Sequence, residues 1–236
     1  MADQTLQSGL MWSVVVPVKV LARAKSRLAG LADADRRTLV LAMAADTVAA
    51  AVACPAVGQV VVVSDDPDVR AVAAAIGAHI TGDRPRSGLN SALIAGAEYA
   101  QARWSALGRA GLTADLPALS PGELAAALTS AAAAPQSFVA DAAGVGTTLY
   151  AARPGARFRP RFGPGSADLH RRAGATELDL LLAPGLRQDV DTIEDLRAAA
   201  ELGLGRRSAA VVRSLNAGLS RGGAAKCARS GRSASA

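Results

Sequence analysis

Hydrophobic positions in the first third of the chain fall into short unbroken runs and longer periodic stretches. Ser13-Val14-Val15-Val16-Pro17-Val18 and Val60-Val61-Val62-Val63-Ser64 are apolar without alternation, as a strand covered on both faces requires. Between them, Leu39, Met43, Thr47, Val48 and Val52 recur at helical spacing; Asp33 or Asp35 opens that helix and Pro55 ends it. Asp66-Pro67 reads as an N-cap followed by proline in the first turn, with Gly77 closing the helix. Ala78-His79-Ile80 predicts a short third strand. Asn90 to Leu107 predicts a helix, and a strand should lie in or before Leu112 to Pro117, but Gly108, Arg109 and Gly111 predict a poor one. Ser120-Pro121-Gly122-Glu123 is a capping box that starts a helix stopped by Pro135. Ser137 to Asp141 and Thr147 to Ala152 predict two more strands, and Ser166 should cap a short helix ended by Gly174. Thr192 and Asp195 form another capping-box pattern, ahead of an apolar stripe of Leu196, Ala199 and Ala200. Strands alternating with helices predict an α/β fold: a single three-layer domain with a mostly parallel sheet, whose ligands gather at the carboxyl ends of the strands.

Composition narrows the class. Half of the 236 residues are hydrophobic and only 3% are aromatic, so small aliphatic side chains fill the core. No apolar run reaches the ~20 residues that span a bilayer. Residues 1–9 lack the pattern of a signal peptide. Cys54 and Cys227 stand far apart in unlike contexts, which suits a reducing cytoplasm and packing better than a disulfide. The formal net charge of +6 suggests nucleic acid, yet its distribution argues against that. Seven basic residues and no acid follow Gly205, leaving 19 basic and 20 acidic groups before it. The expected organisation is an arm over 1–11, a domain over 12–205 and a basic tail over 206–236, disordered at least from Ser220. A binder of nucleic acid acting through that tail is the alternative from another functional class; the body itself predicts neither nucleic-acid nor membrane binding.

Candidate chemistry sits at the strand ends. Lys19, Arg23, Lys25 and Arg27 follow the first strand and form a basic loop suited to phosphate, without a P-loop or dinucleotide fingerprint. Asp115 follows the weak strand. Asp189 and Asp191 are two apart, so an extended backbone turns both carboxylates to one side. Such a pair is either two solvated loop acids or a site for a divalent cation. Gly144 to Thr148 and Phe162 to Ser166 offer backbone N–H groups and hydroxyls as small anion cradles. His170 lies one turn beyond Ser166 on the same face and reads equally as a ligand contact or a packing residue.

Taken together, PVKVLARAKSRL from Pro17, GLNSAL from Gly88, ADLPAL from Ala114, GVGTT from Gly144, RFGPGSADLHRRAGA from Arg161 and DVDTIEDL from Asp189 resemble the guanylyltransferases of deazaflavin (coenzyme F-420) biosynthesis, with actinobacterial members looking nearest. The resemblance covers residues 12 to about 205. It implies a nucleotidyltransferase domain similar to those of molybdenum-cofactor synthesis. The implied reaction joins GTP and phosphoenolpyruvate into enolpyruvyl-diphospho-guanosine and pyrophosphate, with 2-phospho-L-lactate or 3-phosphoglycerate as alternative acceptors. It further implies Mg2+ on Asp115, Asp189 and Asp191. Lys19, Lys25 and Arg27 would contact the triphosphate, and Thr147 (with Thr148 beside it), Gly163 and Ser166 the acceptor. A homo-oligomer is compatible with the sequence. The glycines before Asp115 depart from the more apolar family pattern and predict a loosened edge there.

Overall fold

The two apolar runs become neighbouring parallel strands near the middle of a seven-stranded sheet. The computed structural model describes residues 9–19, 28, 31–83, 88–179 and 183–216. In it β1 (Trp12–Pro17) pairs with β2 (Val57–Val63), and β2 with β3 (His79–Thr81), all parallel. On the other side of β1 lies β4 (Gly108–Leu112), also parallel. Next comes β5 (Gln136–Ala140), separated from β4 by β6 (Thr147–Ala152), which runs antiparallel to both. The final strand, β7 (Thr176–Glu177), is parallel to β5. The order is therefore β3-β2-β1-β4-β6-β5-β7, mostly parallel with one reversed strand.

The helices are α1 (Asp33–Val52), α2 (Pro67–Ile76), α3 (Leu89–Arg103), α4 (Pro121–Ala131), α5 (Ser166–Arg172), α6 (Pro184–Arg187), α7 (Ile193–Leu202) and α8 over 206–216. Val14, Val16, Val60 and Val62 face a core built with α1, α2, α4, α6 and α7. Val15, Val61 and Val63 face the opposite core, built with α3 and α5. The unbroken valine runs follow from this: both faces of the central strands are covered, giving three layers.

Several local expectations hold for the reasons given. Asp66 accepts from Asp68 N–H (3.0 Å) and Val69 N–H (3.4 Å), and Gly77 adopts φ 100°. Ser120 with Glu123, and Thr192 with Asp195, close reciprocal capping boxes. Others need correction. Gly165, not Ser166, is the N-cap of α5; its φ of 66° is left-handed backbone that glycine supplies, and Ser166 is already helical. Helix α3 stops at Arg103 because the chain must turn to enter β4. Ala200 is exposed, leaving Leu196 and Ala199 as the buried stripe of α7.

The poor strand is a central one. Gly108 and Gly111 sit in β4 because neighbours occupy the space where a side chain would go. A Cβ on Gly108 would run into the Trp12 ring, and one on Gly111 would lie 2.8 Å from a Leu93 methyl. Close packing overrides strand propensity here. Beyond the boundary expected at 205, α8 starts directly on the body. The N–H groups of Arg207 (3.1 Å) and Ser208 (2.7 Å) donate to the buried carboxylate of Asp46 on α1. Gly205 N–H donates to Pro117 O (2.7 Å). Residues 217–236, and with them Cys227 and most of the expected tail, lie outside the described residues.

Candidate active site

The carboxyl ends of β1, β2, β3, β4, β5 and β7 all meet one edge of the sheet, and the reversed β6 brings its amino end there too. Successive strands β1, β2 and β3 step one way while β4 lies on the other side of β1, so the topological switch falls between β1 and β4. Ligands of open α/β sheets bind outside such a switch. Lys19 lies just past β1 and is exposed; Asp115 lies just past β4 and is half-buried. The two flank the crevice. Val18 N–H pairs with Val63 O (3.0 Å), which carries the strand register up to Lys19. Lys25 and Arg27 lie outside the described residues.

Two residues hold the backbone around Asp115. Thr47 of α1, fully buried, accepts from Leu116 N–H (3.2 Å), and its one proton lies between Met43 O (3.0 Å) and Ala114 O (3.3 Å). Val190 N–H donates to the carbonyl of Asp115 itself (3.0 Å). Val190 is buried, and Asp189 and Asp191 on either side of it are half-buried. One hydrogen bond thus seats the aspartate pair beside the third aspartate. Among the described residues, no three His, Cys, Asp or Glu side chains are already grouped as a metal-holding cluster. The backbone brings the segments of Asp115, Asp189 and Asp191 together, and these are the carboxylates that the resemblance implies for a metal ion. Their hard oxygen donors fit magnesium, which is held through one or two carboxylates with water and substrate phosphate rather than by an all-protein cage.

Arg187 links this loop to its neighbour. Its guanidinium donates to Ala140 O (3.2 Å) and Asp141 O (2.9 Å), and its carbonyl accepts from Ala142 N–H (2.8 Å). The following turn is not the open anion cradle expected of Gly144 to Thr148. Val145 N–H (2.9 Å) and Gly146 N–H (2.8 Å) already donate to the Asp141 carboxylate. The anion in that cradle belongs to the chain, and Gly146 is glycine because a Cβ would strike the same carboxylate.

Thr147 and Thr148 follow, both buried, at a bulge that interrupts the pairing of β5 with β6. Bulges re-aim side chains next to sites. The Thr147 hydroxyl lies 3.0 Å from His170 Nδ1, and the backbone carbonyl of Thr148 accepts from Thr113 N–H (2.9 Å). The Phe162–Ser166 loop is pinned by Asn90 at the start of α3, which donates to Phe162 O (2.9 Å) and accepts from Phe162 N–H (2.8 Å). Gly163 takes φ 134°, Ala167 N–H donates to Val145 O (3.1 Å), and Ser166 is buried on the first turn of α5. The described candidates, namely Lys19, Asp115, Thr147, Gly163, Ser166, Asp189 and Asp191, therefore lie on adjoining segments of one edge. Thr47, Asp141 and Arg187 were not found by sequence reasoning; Asn90 stands inside the GLNSAL stretch, where a polar residue at a helix start was the available signal.

Comparison with known proteins gives the family and the fold. Residues 12–226 match the family described as "Guanylyl transferase CofC like". A phosphoenolpyruvate guanylyltransferase of Thermomonospora curvata is 55% identical over 86% of this chain and 89% of its own. One from Streptomyces scabiei is 55% identical over 85% and 95%, and one from Streptomyces coelicolor 52% identical over 86% and 96%. The fold resembles that of a putative nucleotide-diphospho-sugar transferase from Desulfovibrio desulfuricans, with TM-score 0.65 and 15% identity over 87% of this chain and 95% of that one. It also resembles CMP:2-keto-3-deoxy-manno-octonic acid synthetase, with TM-score 0.52 and 17% identity over 81% and 98%.

Proposed function

We propose that this chain, which belongs to the CofC-like guanylyl transferase family, transfers the guanylyl group of GTP to the phosphate of phosphoenolpyruvate. The observation that carries the reading is the hydrogen bond from Val190 N–H to Asp115 O, which seats the Asp189–Asp191 pair beside the aspartate at the end of β4. The high identity to phosphoenolpyruvate guanylyltransferases over nearly the whole length supports the acceptor and the base. Coenzyme F-420 biosynthesis is the setting this chemistry serves.

A phosphate oxygen of the acceptor attacks the α-phosphorus of GTP in line. The bond from that phosphorus to the β-phosphate oxygen breaks, and pyrophosphate leaves with the electron pair. The acceptor oxygen is already anionic, so no side chain need remove a proton. Catalysis is then positioning and neutralisation of charge. Asp115, Asp189 and Asp191 would hold magnesium, which when bound screens the repulsion between the two phosphate groups. Lys19, Lys25 and Arg27 meet charge gathering on the leaving pyrophosphate. Thr147, Gly163 and Ser166 hold the acceptor.

The test is pyrophosphate release with magnesium, each NTP and each of phosphoenolpyruvate, 2-phospho-L-lactate and 3-phosphoglycerate. GTP with phosphoenolpyruvate should be the productive pair. Asp191→Ala should lower kcat/KM by about 100-fold or more, as loss of a metal ligand costs several kcal/mol at the transition state, while its melting temperature stays near that of the parent. Turnover with ATP in place of GTP would refute the guanylyl assignment, and near-parental activity in Asp191→Ala would refute the metal assignment.

A further inference from the structure

We infer that His170 is a positioning residue: it fixes the Thr147 hydroxyl as a hydrogen-bond donor toward the anionic end of the acceptor. The inference rests on the acceptor reading given above and adds a residue to it.

Arg161 N–H lies 2.9 Å from His170 Nε2, and a backbone N–H can only donate. Nε2 must therefore be the bare, accepting nitrogen. In a neutral imidazole the proton then sits on Nδ1. Nδ1 is 3.0 Å from Thr147 Oγ1, and its one proton faces both that hydroxyl and the Ser166 backbone, so the hydroxyl cannot donate to the ring. The hydroxyl keeps its own proton, which is directed away from the ring and available to one further acceptor. An ordinary solvent-exposed threonine chooses between donating and accepting; this one has the choice made for it.

The ring cannot easily change role. His170 is fully buried. It stacks on Tyr150, with centroids 4.8 Å apart and planes at 21°, and touches Phe138 at 5.4 Å and the edge of Phe162 at 5.7 Å. Burial first, and the charge of Arg161 second, push its pKa down from 6.5 to about 4; a hydrogen bond with the Ser166 backbone opposes them. Charging the ring would also place a proton on Nε2 against the Arg161 N–H. Near neutral pH the ring thus stays in one tautomer.

Its location gives this consequence. His170 bonds Thr147 on β6, receives the backbone just ahead of Gly163, and stands one turn after Ser166 on α5. These are the three groups assigned to the acceptor. One imidazole sets the spacing among them. A phosphorylated carboxylate offers only acceptor oxygens at physiological pH, so a hydroxyl locked as donor matches it and disfavours a neutral group that must itself donate.

The experiment has a ligand-free arm and a kinetic arm. In 15N-labelled protein, the imidazole resonances of His170 should show protonated Nδ1 and bare Nε2 from pH 8 down to about 5. Kinetics then compare His170→Phe, Thr147→Val, the double variant and His170→Asn, whose amide can still reach Thr147. The first two should each raise KM for the acceptor about tenfold, the cost of one lost hydrogen bond. KM for GTP should stay within about twofold, the double variant should be no worse than either single one, and His170→Asn should recover part of the loss. A protonated Nε2, additive single effects, or equal rises in both KM values would overturn the inference. KM is read for whichever acceptor the parent protein turns over. An error in the acceptor named above shows in the parent alone, whereas failure of the inference shows only in the variants and the resonances.

Discussion

At Thr47 a single hydroxyl holds the backbone on both sides of Asp115. It accepts from Leu116 N–H at 3.2 Å and shares its proton between Met43 O at 3.0 Å and Ala114 O at 3.3 Å, from a helix whose other buried residues are nearly all apolar. Thr47→Val keeps the shape and removes these bonds. Leu116 N–H then loses its partner inside the core, a cost of about 1–3 kcal/mol, and the Asp115 loop loses its register. The expected result is a drop of at least about tenfold in kcat with little change in KM for GTP, measured by pyrophosphate release on protein shown to be folded by circular dichroism. Asp115, Asp189 and Asp191 could be picked out in the sequence because two rules are local: an acid after a strand, and acids at alternate positions of an extended stretch. Thr47 could not. It falls within the helical periodicity, and its partners outside the helix are 67 and 69 residues away. The same limit hid Asp141: a carboxylate that fills a glycine turn from within looks, in sequence, like any acid at a strand end.

For whole elements the sequence was most readable where cap chemistry is local. Asp66-Pro67, Ser120 to Glu123 and Thr192 to Asp195 all start helices as their residue types dictate. It was least readable at β4, where propensity and packing disagree. Gly108 and Gly111 lower strand preference, yet β4 pairs with β1 on one side and β6 on the other. The reason lies in Trp12 and Leu93, which fill the space next to those glycines. Gly108→Ala should therefore destabilise the protein, although alanine is ordinarily the better strand residue. The buried Trp12 ring has no free side to move into, so a loss of about 1–3 kcal/mol is expected, seen as a lower urea midpoint with an unchanged m-value. The reversal of β6 follows from its short connection to β5: residues 141–146 are too few for the crossover that a parallel pair needs.

Across the whole molecule, fold class and layer count were legible because the valine runs demand cover on both faces. The stretch expected as a basic tail from Arg206 begins instead with helix α8, since its charge marks it off from the body while Val211, Val212 and Leu215 give it helical apolar positions. The first turn of α8 is anchored by Asp46, which is 8% exposed, with Arg207 Nη1 3.8 Å from the same carboxylate. Buried carboxylates accepting backbone N–H groups are among the stronger hydrogen bonds. Asp46→Ala should cost about 1.5–3 kcal/mol; a chain cut after Leu204 should lose a similar amount, and the two together little more than either, as read by urea unfolding. The body before that helix is close to neutral, so the cut should leave turnover with GTP less salt-sensitive than tail-borne binding would require. The bond from Ser208 to Asp46 closes a span of 162 residues, and the one from Val190 reaches back to Asp115 in the same way. During synthesis the early strands can pair as they emerge, but the contact between Val190 and Asp115 forms only after β1 to β7 have been made. Until then the loop after β4 presents Asp115 without the segment of Asp189 and Asp191 that packs beside it.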